Sequence, residues 1–161
     1  MKTTARLFGI TALLLISAAA DARDERQLHS LDAALASPRA KDLFDNTVQF
    51  YWADQTYPPP LPESGAIPRP VRGATRKTFA LTKTDLEACD WAFLSSLVAL
   101  RDEAKKEGAN AIVNLKSLYN NREFRSETQF ECRAGYMSTG VTLEGKLVKL
   151  APPYGVTTVR P

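Results

Sequence analysis

Two cysteines constrain the fold of this 161-residue chain more than any other feature. Cys89 recurs at three- and four-residue spacing with Leu86, Phe93, Leu97, Leu100 and Ala104, which is one face of a helix. Trp91, Leu94 and Val98 widen that stripe, and Asp90, Arg101, Asp102, Lys105 and Lys106 fall on the polar side. Cys132 alternates in phase with Thr128, Phe130 and Ala134, and out of phase with Glu127, Gln129, Glu131 and Arg133, which is one face of a strand. Each cysteine therefore lies on the apolar face of its own element. A bridge needs Cα atoms about 4.4–6.8 Å apart, so a disulfide between them requires the two faces to meet. The spacing predicts that bridge, and with it a helix clamped on a sheet. A pair that catalyses thiol exchange is more often a C-x-x-C at a helix start, so the predicted bond is structural.

The amino terminus points to an oxidising compartment, where such a bond persists. Lys2 and Arg6 flank an apolar run from Leu7 to Ile16, and Ala18, Ala19, Ala20 and Ala22 surround Asp21. That is the layout of a cleavable signal peptide over residues 1–22, with the cut after Ala20 or Ala22. The run is shorter than the about 20 residues that a membrane-spanning helix needs. The expected mature protein is periplasmic or secreted. It has no cysteine at the junction for a lipid anchor and no second apolar stretch for a transmembrane segment. Removing Lys2, Arg6 and Asp21 from the formal charge of +3 leaves +2, with acids and bases interspersed. Nucleic-acid binders carry a strongly basic face, so no nucleic acid is expected as a partner.

The rest of the chain reads as an amino-terminal helical segment (23–46), one α+β domain (47–150) and a tail (151–161). Ser37-Pro38 starts a short helix, the serine as cap and the proline in the first turn. Val48, Phe50 and Trp52 alternate as a strand. A loop over 57–70 contains Pro58, Pro59, Pro60, Pro62, Pro68 and Pro70, which bars a central strand or helix there. Residues Arg72 to Phe79 read as a second strand. Thr84 and Glu87 form a capping box at the start of the long helix, and Gly108 ends it. Ala111, Val113 and Leu115 then share one strand face, and Asn120-Asn121 mark a turn. The Cys132 strand follows. A last strand carries Val141, Leu143, Leu147 and Val148, with Gly145 marking a bulge. The expected fold class is α+β: one long amphipathic helix packed on a mainly antiparallel sheet of about four to five strands.

Little in the sequence points to catalysis. His29 is the only histidine and lies in the amino-terminal segment. A Ser-His-Asp or Cys-His arrangement would have to recruit it. A zinc site would have to be built from carboxylates and the two cysteines that pair with each other. There is no G-x-x-x-x-G-K-[ST] phosphate loop and no G-x-S-x-G elbow. No catalytic residue, metal site or cofactor is predicted. Glu127 and Glu131 read as solvated acids on an exposed strand face. The residues that most resemble a binding surface are Arg72, Arg76 and Lys77 with Tyr119, Arg122 and Arg125. They suit an anionic polymer or an envelope protein, but protection of sheet edges by charge is the favoured reading. Tyr51, Trp52 and Tyr57 form either an aromatic patch or part of the core.

Several motifs carry a resemblance: Arg76-Lys77-Thr78, Glu87-Ala88-Cys89, Gly108-Ala109-Asn110-Ala111-Ile112-Val113, Glu131-Cys132-Arg133-Ala134-Gly135 and Gly140-Val141-Thr142-Leu143-Glu144-Gly145. From Phe50 to Leu150 the chain resembles a family of small secreted proteobacterial proteins that carry the automatic name "excinuclease ATPase subunit". That name implies nucleotide hydrolysis, for which the phosphate loop is missing. A more distant similarity is to the periplasmic domain of the RcsF envelope-stress sensor. There a helix steps through a Gly-Ala-Asn-like turn into a strand, and disulfides clamp helix and sheet. Cys89 and Cys132 match one such clamp. The lipid-anchor cysteine and the second cysteine pair of that pattern have no counterpart. The expected function is a non-enzymatic periplasmic binding or envelope-associated module. The alternative is a carboxylate-dependent enzyme acting on a cell-wall or other anionic substrate.

Overall fold

A computed structural model of the protein describes residues 24–61, 69–72, 76–79 and 82–151. The predicted signal peptide, most of the proline-rich loop and the tail beyond residue 151 lie outside the described residues. In chain order the elements are β1 (Asp24–Ser30), α1 (Leu31–Ala36), α2 (Pro38–Leu43), β2 (Gln49–Trp52), β3 (Arg69–Arg72), β4 (Arg76–Phe79) and α3 (Asp85–Lys106). They continue with β5 (Ala111–Tyr119), β6 (Arg122–Phe124), β7 (Gln129–Gly135), β8 (Ser138–Val141) and β9 (Leu143–Val148). The architecture is α+β. One sheet has the order β1-β7-β8-β4. The other runs β2-β5-β9-β3, with β6 paired to β5 as a hairpin. All pairs are antiparallel except β2 with β5, which is parallel.

Helix α3 forms for the reasons its sequence states. Thr84 accepts from the Glu87 N–H, and the Glu87 carboxylate accepts from the Thr84 N–H, a reciprocal cap. At the far end Gly108 takes φ +70°, a conformation open to glycine. The Ala109 N–H then reaches the Ala104 carbonyl and the Gly108 N–H the Lys105 carbonyl, which is a Schellman close. Cys89, Phe93, Leu94, Leu97, Leu100 and Ala104 are buried, as the stripe predicts, and Ala92 and Ser96 are buried with them. Leu86 departs from it, being 56% exposed. It sits in the first turn of the helix.

Where the structure differs from the sequence reading, pairing partners explain the difference. Residues 24–30 are a strand and not part of a helix. β1 zips antiparallel onto β7 from Asp24↔Gly135 to Ser30↔Gln129. Its sequence, DERQLHS, shows no apolar alternation, because it is an edge strand held largely by backbone bonds and charged neighbours. The expected strand over 72–79 is two strands on edges of different sheets, β3 beside β9 and β4 beside β8. Pro70 lies within β3, at a sheet edge where a missing donor is tolerated. The expected last strand also divides. Val141 ends β8 in one sheet and Leu143 opens β9 in the other.

A bulge corrects the predicted face of β5. Asn114 takes φ +52°, and the register of β5 shifts against both β2 and β9 around it. Ala111 and Val113 consequently face a small cluster with Val148, Leu150, Tyr51 and Tyr57, while Ile112 and Leu115 face the main core. Period-two alternation cannot place Leu115 with Val113 once an extra residue intervenes. The close approach falls opposite, at Gly145. A Cβ there would lie 2.8 Å from Ile112 Cγ2 and 3.2 Å from the Val113 carbonyl. The Asn120-Asn121 turn is as predicted, both residues with positive φ in a two-residue hairpin that pairs Tyr119 with Arg122.

Candidate functional site

The centre of the molecule is an aromatic stack built by four elements. Trp52 from β2 stacks on Phe93 from α3 with ring centroids 5.7 Å apart. Phe93 stacks on Phe130 from β7 at 4.0 Å, and Phe130 on His29 from β1 at 5.5 Å. Such ring pairs contribute about 0.5–1.5 kcal/mol each beyond the area they bury. Trp52 is thus a core residue. Tyr51 and Tyr57 pair with each other at 5.7 Å on the opposite side of the sheet.

The Cys89–Cys132 disulfide lies beside this stack, with Cα atoms 5.8 Å apart and both cysteines fully buried. The predicted bridge is present, and it ties α3 to β7. Its surroundings were not legible in the sequence. β1 registers Gln27 opposite Cys132 and His29 opposite Phe130, which brings an imidazole nitrogen within 4.8 Å of both sulfurs. Gln27 bonds His29 Nε2 through Oε1 at 3.2 Å and donates from Nε2 to Asp85 Oδ2 at 2.9 Å. Burial lowers the His29 pKa from its ordinary value, against the opposing pull of Asp90 and Asp85. Burial raises that of Asp90, against the pull of His29. Placing His29 here depends on recognising residues 24–30 as a strand, for which the local sequence carries no signal.

The outer face of β7 corrects a second expectation. Glu131 is not a solvated acid but a buried one, 9% exposed. Its carboxylate accepts from Arg26 Nε at 2.7 Å and Arg133 Nε at 3.2 Å, and its N–H donates to Ser117 Oγ at 2.9 Å. Unpaired, a carboxylate so placed would be costly; with two guanidinium partners it joins β1 to β7. Glu127 is exposed, as expected.

The predicted binding residues fall in separate places. Arg72 lies on β3 opposite Glu144, whereas Arg76 and Lys77 lie on β4 opposite Val141 and Gly140. The side chains of these three lie outside the described ones. Tyr119 and Arg122 pair across the β5–β6 hairpin. The Tyr119 ring lies under the Arg133 guanidinium at 3.9 Å, and its hydroxyl bonds Asp24, which raises its pKa. Arg122 is exposed. Arg125 bonds Asp54 Oδ1 at 2.6 Å.

A surface feature not anticipated from sequence is an open groove of about 780 Å³ between the two short helices and β2. Its walls include Leu35 and Phe44 from the helical side and Phe50 and Trp52 from the strand. Gln49 and Tyr51, from the opposite face of β2, line it too, so the groove follows the strand's edge. β2 is terminal in its sheet. Its Gln49 N–H donates to the Asn110 carbonyl, on the side of β5, and the Ala53 N–H that follows it donates to Leu115. The Trp52 N–H turns the other way and donates to Gln55 Oε1 at 2.8 Å. Among the described residues, no helix is long and apolar enough to cross a membrane. No protein-family model, curated protein or solved structure matches the chain.

Proposed function

We propose that this protein is an exported, non-enzymatic binding module of the cell envelope that takes an extended segment of a partner protein along the terminal edge of β2. The groove beside that edge carries the reading. Added strands gain affinity from main-chain hydrogen bonds and specificity from pockets for alternate side chains. Here Gln55 already holds both main-chain groups of Trp52, accepting from its N–H through the side-chain oxygen and donating its own N–H to the Trp52 carbonyl, so an incoming strand would displace Gln55 at that position. The alternation of β2 directs the Phe50 N–H to the same side. Leu35, Phe44 and Phe50 offer an apolar seat, and Asn46, Gln49 and Gln55 a polar rim. The groove is open along its length, a shape suited to an extended chain more than to enclosing a reacting group.

Peptides selected from a random display library against the purified protein test this reading. The expected result is that bound peptides slow amide exchange at Phe50 and displace the Gln55 side-chain resonances. Selected peptides that leave both unchanged, or binding confined to polyanionic polymers at the β5–β6 hairpin, would refute it. Export has its own test: intact mass of the native product should place its first residue at Asp21 or Arg23.

A further inference from the structure

We infer that, once the Cys89–Cys132 disulfide is reduced, the two cysteine sulfurs and the His29 imidazole hold one zinc ion. The inference rests on geometry independent of the β2 groove. Three side chains from three elements, α3, β7 and β1, bring ligand atoms within 4.8 Å of one another. Zinc binds thiolate at about 2.3 Å and imidazole at about 2.0–2.1 Å in a tetrahedron, which puts neighbouring ligand atoms roughly 3.5–3.8 Å apart. The imidazole therefore needs to approach by about an ångström, and the freed sulfurs need to separate to about the same spacing. Two sulfurs and one nitrogen form a donor set that suits zinc better than hard cations. Gln27 bonds His29 Nε2 and is itself held by Asp85, which would leave Nδ1 as the zinc ligand and give the outer support that metal-bound histidines need.

The chemistry balances. A dithiol gives two electrons and two protons to the disulfide, closing its own disulfide and leaving two protein thiols. Zinc then displaces the two thiol protons to solvent, so that binding tightens with rising pH. The ion replaces one clamp with a wider one. The disulfide joins α3 to β7, whereas the ion joins both to β1. Disulfide and metal exclude each other at these two sulfurs.

The test uses purified protein, either oxidised or reduced under argon with a water-soluble phosphine, titrated with zinc against a chromophoric chelator. The reduced protein should bind one zinc per chain and the oxidised protein none at the same concentrations. X-ray absorption at the zinc edge should find two sulfurs and at least one nitrogen. His29→Gln should weaken binding by roughly tenfold or more, with its far-UV circular dichroism in the oxidised form unchanged. The wild-type arm needs no variant, so a misfolded His29→Gln would not rescue the proposal. No zinc uptake by reduced wild type, equal uptake by the oxidised protein, or a site of sulfurs without nitrogen would each overturn it.

Discussion

His29 stacks on Phe130 across the β1–β7 ladder, with ring centroids 5.5 Å apart, and so seals the open side of the aromatic stack next to the disulfide. An imidazole in that position is held against its own protonation. Burial lowers its pKa below the ordinary 6.5, while Asp90 and Asp85 work the other way. The folded chain therefore binds fewer protons at His29 than the unfolded chain does. This term leaves stability intact above pH 6.5 and removes it as pH falls from there through the folded pKa. Asp90, whose pKa is raised, has the opposite sign: its contribution is present at acid pH and fades as pH rises through its folded value. Melting temperatures of wild type, His29→Gln and Asp90→Asn across that range separate the two. His29→Gln should flatten the loss of stability between neutral pH and about pH 5. An unchanged slope would contradict the assignment.

The bulge at Asn114 should be sensitive to conformation more than to chemistry. Its φ of +52° suits asparagine or glycine, and its Nδ2 donates to the Ala53 carbonyl at 3.1 Å. A β-branched residue in that region costs roughly 1–2 kcal/mol from backbone alone, and the lost hydrogen bond adds about 1 kcal/mol. Asn114→Val should therefore destabilise by about 2–3 kcal/mol in urea unfolding. Asn114→Gly should cost less than Asn114→Val. Equal losses would mean that φ is not what the position selects.

Opposite the bulge, Gly145 leaves no room for a side chain. The nearest atoms to an added Cβ are Ile112 Cγ2 at 2.8 Å, Leu115 Cδ2 at 3.0 Å and the Val113 carbonyl at 3.2 Å. The backbone oxygen cannot swing aside as a side-chain end can. Gly145→Ala should cost about 1–3 kcal/mol, as overpacking of cores does, and Gly145→Val more. A neutral Gly145→Ala in thermal unfolding would show that β5 and β9 lie farther apart than described.

The bounds of helix α3 and most of its buried face were legible because a capping box, a 3.6-residue stripe and a terminal glycine agree about them, Leu86 excepted. The Asn120-Asn121 hairpin was legible for a similar reason, since two adjacent asparagines accommodate positive φ. The bridge followed from two faces, each periodic on its own. The failures share one cause: the missing information was not local. Nothing in DERQLHS distinguishes an edge strand from a polar helix until β7 is present to pair with it. The switch of sheet between Val141 and Leu143 occupies a single residue and does not disturb the apolar pattern. The flip at Asn114 hides among three consecutive apolar residues, Ala111, Ile112 and Val113, that are buried on both faces. The place of His29 was not legible and Glu131 was misread because both depend on β1: one is carried inward by it and the other is covered by its Arg26. The groove along β2 was invisible because an edge exists only once the order of strands is known.

Cys89 and Cys132 join α3 to β7 beside the aromatic stack. The bond closes a loop spanning a sequence separation of 43, for which the chain-entropy relation gives about 4 kcal/mol. Cys89→Ser should lower stability by a comparable amount. Non-reducing peptide mapping of protein made in an oxidising compartment is the most direct measurement. The account predicts one cross-linked pair of peptides, the one containing Cys89 joined to the one containing Cys132, which separates on reduction. Recovery of both cysteines as free thiols would contradict the bond and, with it, the meeting of helix and strand faces on which the fold is argued.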